Sequence, residues 1–156
     1  MPVRSAGLLL YRQGTAGVEV LLGHPGGPFY VKKDDGVWSI PKGELEADED
    51  VLAAAVREFT EEMGSAPPDG VPWPLGEAKQ SSGKINTIFA LEGDFDVATL
   101  RSNTFPMQWP PRSGRTQQFE EIDRVAWLTL DAARVKLRSA QHPFLDRLAE
   151  GLEGGG

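Results

Sequence analysis

Residues 43–64 read GELEADEDVLAAAVREFTEEMG, and the fold turns on how this acidic stretch is arranged in space. From Asp50 to Met63 the apolar residues recur at helical spacing, with no proline or glycine among them. Gly64 then acts as a stop, and Pro67 and Pro68 bar continuation. A helix is therefore expected from about Asp50 to Met63, with acidic residues in its first turn, where the helix dipole favours them. With Glu58 at zero on a wheel of about 100° per residue, Glu61 lies near 300° and Glu62 near 40°, so three carboxylates share one arc. Leu52, Ala55, Val56, Phe59 and Met63 fall at roughly 60° to 160° and form the adjacent core-facing stripe. Ala54, at about 320°, is expected to leave room over the glutamate face.

Like charges at this spacing cost an isolated helix about 0.2–0.5 kcal/mol per pair. The ordinary explanation of such a run is a solvated acidic face. Here, however, the carboxylates border the apolar stripe and do not oppose it, and Arg57 is the only basic residue in the stretch. Arg57 stands four residues before Glu61 and can brace it. Hard divalent cations such as magnesium take oxygen ligands, and one bound here would turn the repulsion into attraction.

Upstream, VRSAGLLLYR and VEVLLGH read as two strands joined by a loop, and PGGPFYVKKDDG as a loop with a short strand. Downstream, PLGEAKQSS and KINTIFALEG flank Gly83 as a hairpin, and DRVAWLTL reads as a further strand. LDAARVKL and PFLDRLAEGL read as two short helices. Residues 1–150 are expected to form one domain of α/β or α+β type, and residues 151–156 a flexible glycine-rich tail. The segment Asn103–Gln118 reads as a loop without structure of its own. It carries Phe105, Met107, Trp109, Arg112 and Arg115, which suit base stacking and phosphate binding; alternatively the aromatics fold down as an anchor.

The composition narrows the function. The 156 residues carry a formal net charge of −7, a poor basis for gripping duplex nucleic acid through its phosphates. There is no cysteine, so there is no disulfide framework or thiolate metal site, and two histidines do not make a His-rich zinc site. His24 and His142 read as packing or surface residues, with His24 able to face a cleft. No apolar run is long enough to span a membrane, and the expected compartment is the cytoplasm. No P-loop or nucleophile-elbow pattern occurs.

Gly43, five residues, Glu49, seven residues, then Arg57, Glu58, Phe59, Thr60, Glu61, Glu62, Met63 and Gly64 resemble the signature of the Nudix hydrolases at every charged and glycine position. Ser65 departs from it, standing where the family usually has an aliphatic residue. WSIPKGELE, and Glu121 six residues before Trp127, look similar to the diadenosine polyphosphate branch. The resemblance implies an α/β/α sandwich with a mixed β-sheet, the signature forming loop, helix and loop. It implies magnesium, or manganese in its place, held by Glu58, Glu61, Glu62 and the carbonyl of Lys42. It further implies that Arg57 orients a glutamate, that Glu49 ties the loop, and that Glu121 is a further ligand or the general base.

The implied activity is hydrolysis of a nucleoside diphosphate joined to a second group, such as a dinucleoside polyphosphate or related nucleotide. Lys42, Trp109 and Arg115 are the candidate substrate-binding residues, while Lys32, Lys33 and Lys84 read as solvated lysines. The alternatives are clean-up of nucleoside triphosphates, a non-catalytic nucleotide-sensing domain, or hydrolysis at RNA 5′ ends. No membrane partner is expected.

Overall fold

The computed structural model describes residues 2–154. Its central sheet starts with β1 (Arg4–Gly14), whose Leu8–Leu10 run is buried on both faces, as an inner strand covered on two sides must be. β2 (Gly17–Pro25) returns antiparallel to it, with Gly14 opposite Gly17. The short β3 (Lys42–Glu44) pairs with the start of β1 through Ser5, Ala6 and Gly7. β4 (Trp73–Lys79) and β5 (Ile85–Glu92) form the expected hairpin, and β5 lies parallel to β1. β8 (Ile122–Thr129) closes the other edge beside β2, so the order is β4-β5-β1-β2-β8 with β3 paired to β1.

Helix α1 (Val51–Met63) covers one face of this sheet. Helices α2 (Leu130–Lys136) and α3 (His142–Gly154) cover the other, where Ala133, Phe144, Leu145 and Leu148 pack on Leu9, Leu22 and Ile88. This is the expected three-layer α/β/α arrangement. Alternation along β1 explains it: Ala6, Leu8 and Leu10 face α1, while Leu9 and Tyr11 face α2 and α3. Among the described residues no helix is long and apolar enough to cross a membrane.

Five expectations need correction. The acidic residues precede α1 and do not fill its first turn; Asp50 is the N-cap, accepting from the Ala53 amide at 3.0 Å. Ala54 is fully buried in the core with β1 residues, so the small side chain there packs against the sheet and does not open the glutamate face. The Gly26–Val37 segment forms turns and no strand, with Gly27 and Gly36 at φ of 96° and 76° bending it. The Asn103–Gln118 segment is not structureless. It holds β6 (Thr104–Gln108) and most of β7 (Thr116–Glu120), which pair antiparallel in a separate two-stranded sheet. The tail also begins later than residue 151, because α3 continues through Gly154: Gly151 sits so close to Trp73 that a Cβ would lie 2.6 Å from its ring. Residues 155–156 of the expected tail lie outside the described residues.

Candidate active site

The loop before α1 is built around Arg57. Its Nε donates to Glu49 Oε2 at 2.7 Å, and one terminal nitrogen, Nη2, donates to Glu49 Oε1 at 2.9 Å and to the Glu44 carbonyl at 3.1 Å. The other, Nη1, donates to Glu58 Oε1 at 2.8 Å and to Glu61 Oε2 at 3.2 Å. Glu49 also accepts the Glu46 amide at 3.0 Å, so it ties the loop to the helix. The Arg57 hydrogen bonds, helped by that amide, hold the Glu49 carboxyl down to about 2. Five hydrogen bonds to four residues thus meet at one guanidinium, whose own proton is held more tightly than usual by Glu49.

Glu58 and Glu62 lie deeper. Burial pushes the Glu58 carboxyl up against the pull of Arg57. Gly43 abuts that carboxylate, and any Cβ there would overlap it. Glu62 is raised to about 8, first by burial, then by the charge of Glu58, with Lys42 pulling the other way. Its Oε2 is buried with no hydrogen-bond partner. A buried carboxylate oxygen left without a donor is costly unless it stays protonated or meets a cation.

That orphaned oxygen, beside Glu58 and Glu121 and near the Lys42 backbone, makes a hard-oxygen donor set that fits a divalent cation of the magnesium class. The fit requires side-chain adjustment. Arg57 draws Glu58 Oε1 and Glu61 towards itself, and among the described residues no three acidic or imidazole side chains close on a common point.

The open cleft over Glu62 is lined by Gly23, Pro25, Ser39, Ile40, Glu121, Ile122 and Arg138 and encloses about 160 Å³. That volume is below the roughly 300–1,000 Å³ of a drug-sized ligand pocket, so it suits a phosphate group, with the rest of any larger ligand outside. Glu121 arrives there by a backbone relay. The Asn103 amide caps the Glu61 carbonyl at 3.1 Å, and the Glu121 amide donates to the Asn103 carbonyl at 2.9 Å. An orphan carbonyl at the end of α1 is thereby satisfied, and Glu121 is tied to the helix that carries Glu62. Partial burial raises the Glu121 carboxyl. Lys42 is lowered, first by burial and then by the like charge of Lys84, with Arg138 acting in the same sense.

Sequence reasoning did not find Arg138. It lies between two helical turns in KLRSAQ, and nothing local distinguishes it from an ordinary surface arginine. Nor do the other expected binding residues enter the cleft. The Trp109 amide donates to the Arg115 carbonyl at 2.9 Å across the end of the β6–β7 hairpin, and the Trp109 ring meets Phe29 edge-on at 5.7 Å. Trp109 lines a neighbouring groove with Gly27, Pro28, Val31, Phe119 and Asp123, while the Arg115 side chain is exposed. The groove and the cleft adjoin where Pro25 pairs with Ile122 and the Gly26 amide donates to the Glu121 carbonyl at 3.0 Å. His24 does not face the cleft. It is fully buried, with Nδ1 2.8 Å from Asp123 Oδ1 and Nε2 2.7 Å from the Lys33 carbonyl. His142 Nε2 donates to the Leu137 carbonyl at 2.9 Å.

The family model described as NUDIX domain matches residues 1–148. No curated protein matches closely enough to count as a relative. Among solved structures, a Caenorhabditis elegans Ap4A hydrolase binary complex superposes with a TM-score of 0.66 at 18% identity, covering 96% of this chain and 98% of that one. The NUDIX domain of Shewanella oneidensis NrtR complexed with ADP ribose gives 0.64 at 17% identity, covering 97% and 89%. The Escherichia coli ORF135 protein gives 0.62 at 21% identity, covering 97% and 91%. At these identities the likeness is one of fold.

Proposed function

The chain belongs to the Nudix family, hydrolases of phosphoric anhydrides, and from that premise we propose that it cleaves a nucleoside diphosphate joined to a second group, a dinucleoside polyphosphate or related nucleotide, with magnesium bound. The observation that carries the reading is the buried, unpartnered Oε2 of Glu62 in a cleft of phosphate size that Glu121 also lines, with Glu58 and Lys42 close enough for their charges to act on it. Glu58, Glu62, Glu61 and the Lys42 carbonyl would hold the metal. When bound, it would neutralise phosphate oxygens and make a coordinated water acidic.

The chain's own groups do the rest. Arg57 gathers Glu58 and Glu61 beside one another on α1, and both carboxylates would turn from it to engage the metal. Glu121, at the rim, has its proton affinity raised by partial burial, which suits a group that takes a proton from water. Lys42 presents an ammonium to a non-bridging phosphate oxygen. The intact carboxylate set weighs against a purely sensing domain. A phosphate-release screen over dinucleoside polyphosphates, nucleotide sugars, nucleoside triphosphates and 5′-triphosphorylated RNA, with magnesium, tests the reading. Turnover of none of them would overturn it, and turnover of triphosphates alone would select the clean-up alternative.

Two further outcomes follow from this reading. Gly43→Ala is expected to lower kcat by about tenfold to 10²-fold, because the new methyl displaces Glu58 by the ångström or so that misplaces a reacting group. The melting temperature, measured alongside, should change little, since β3 is at the edge of the fold. Unchanged turnover would remove Glu58 from the site. Trp109→Ala is expected to raise KM for a dinucleotide by roughly tenfold or more, in line with about 1–3 kcal/mol for base–aromatic stacking. A lower melting temperature with unchanged KM would make Trp109 a hairpin anchor against Phe29 instead.

A further inference from the structure

The cleft has a cationic wall supplied by a part of the chain far from the signature. Arg138 lines the cleft together with Glu62 and Glu121, and it comes from the connection between α2 and α3. Its backbone is fastened to the segment that leads into Lys42. The Trp38 amide donates to the Lys136 carbonyl at 3.0 Å, and the Arg138 amide to the Trp38 carbonyl at 2.9 Å. Gln141, 2% exposed, accepts the Ile40 amide at 2.9 Å and donates to Ser39 Oγ at 3.0 Å. Four hydrogen bonds thus fix the height of Arg138 relative to Lys42.

The guanidinium itself is held by an aromatic ring, and no acid among the described residues pairs with it. Its Nη2 is 3.5 Å from the Tyr30 hydroxyl and its Cζ 5.6 Å from the Tyr30 ring centroid. Tyr30 belongs to the turns after β2, whose Tyr30 amide bonds the Gly27 carbonyl at 3.4 Å. A cation–π contact positions a guanidinium while leaving most of its donors unspent. Lys42 and Lys84 lie within like-charge range of one another, and Lys42 and Arg138 likewise. Among the residues that line the cleft, Glu62 and Glu121 supply the acids and Arg138 the cation. Lys84 already pairs with Glu44 at 3.6 Å, whereas the mutual repulsion of Lys42 and Arg138 would be relieved by a multiply charged anion in the cleft.

We propose that Arg138 is a substrate-binding residue that forks onto the phosphate chain from the connection between α2 and α3, and that Tyr30 is the residue that positions it. The ligand class is a pyrophosphate or longer polyphosphate, bare or esterified, and not a carboxylate or a single phosphate. The proposal rests on the nucleotide-hydrolase reading for its kinetic arm. Its binding arm does not need that reading.

The test uses Arg138→Gln, Arg138→Lys, Tyr30→Phe and, as a control for lost charge, Arg134→Gln at an exposed ion pair with Asp146. Affinity for inorganic pyrophosphate with magnesium is measured by calorimetry, and KM and kcat on the nucleotide that the wild type hydrolyses. Arg138→Gln should weaken pyrophosphate binding and raise KM, each by about 10–100-fold, the size expected for losing hydrogen bonds to a charged group. Arg138→Lys, which keeps the stem and backbone clamp, should recover part of this, and should also give the result if the glutamine variant fails to fold. Tyr30→Phe should raise KM by less and leave kcat alone, and Arg134→Gln should change neither quantity. Wild-type pyrophosphate affinity and KM in both Arg138 variants would overturn the proposal, as would a change confined to kcat, which would mean that Arg138 only offsets the charge of Glu62 and Glu121. If the wild type turns over no nucleotide, the catalytic reading fails while the pyrophosphate measurement still decides for or against Arg138.

Discussion

Glu62→Gln is expected to lose nucleotide hydrolysis by roughly 10²–10⁴-fold, the several kcal/mol of charge stabilisation that a metal-assisted site supplies, while remaining folded. Glutamine keeps the size and nearly the helix propensity of glutamate, so α1 should form as before. What changes is the charge of the one carboxylate oxygen that, among the described residues, is buried without a donor. An amide there cannot replace a carboxylate as a hard ligand, and its NH₂ group would point a donor at any cation. The effect should fall on kcat at saturating magnesium, with the far-ultraviolet spectrum unchanged. Glu61→Gln is the informative comparison, because its side chain is 45% exposed and already leans on Arg57. A Glu62→Gln enzyme with wild-type turnover would mean that the buried carboxylate is a packing accident and that the reaction centre lies elsewhere.

The difference between these two glutamates shows how far the sequence could be read. Helical spacing in residues 50–63, Asp50 before the first turn and Gly64 after the last define α1 almost to the residue, because caps are local chemistry. The wheel also put Glu58, Glu61 and Glu62 on one arc. It did not give depth. The buried residues Ala54, Ala55, Phe59 and Met63 span an arc from about 320° through zero to about 140°. Glu58 and Glu62 therefore lie inside the buried arc and Glu61 outside it. Reading Ala54 as space, when it is core, hid this, and only the seating of α1 on β1 reveals it.

Other features depend on tertiary placement alone. The β6–β7 hairpin has exposed alternate positions and a proline, Pro106, within β6, which argues against a strand when read locally. Arg138 becomes a cleft residue only because Gln141 and Trp38 bring two distant segments side by side. Charges that converge from separate elements leave no periodic trace in a sequence.

The metal-free protein is expected to lose stability as pH rises from about 5 to about 8.5, and Glu62 is expected to be a main cause. Its carboxyl is raised in the folded chain to about 8, against an ordinary value near 4.5 when unfolded. Between those values the folded state keeps a proton that the unfolded state releases, so folding is progressively penalised as pH rises and the full penalty is present above about 8. Glu58 and Glu121 are raised as well and contribute in the same direction. Glu62→Gln should therefore be more stable than the wild type in EDTA at pH 8.5 by a few kcal/mol, which for a chain of this size is a rise of roughly 5–10 °C in melting temperature. At pH 5 the two should melt nearly together.

Magnesium should reverse the order. It binds the carboxylate and displaces the proton, so its stabilisation of the wild type should grow with pH and be accompanied by proton release. The variant should gain little. The loss of turnover and the gain in metal-free stability would then have one origin, a carboxylate held in the fold at a cost that a bound cation offsets. Parallel melting curves for wild type and variant at every pH in EDTA would show that Glu62 is not the group under strain, and would remove the electrostatic basis for placing the cation there.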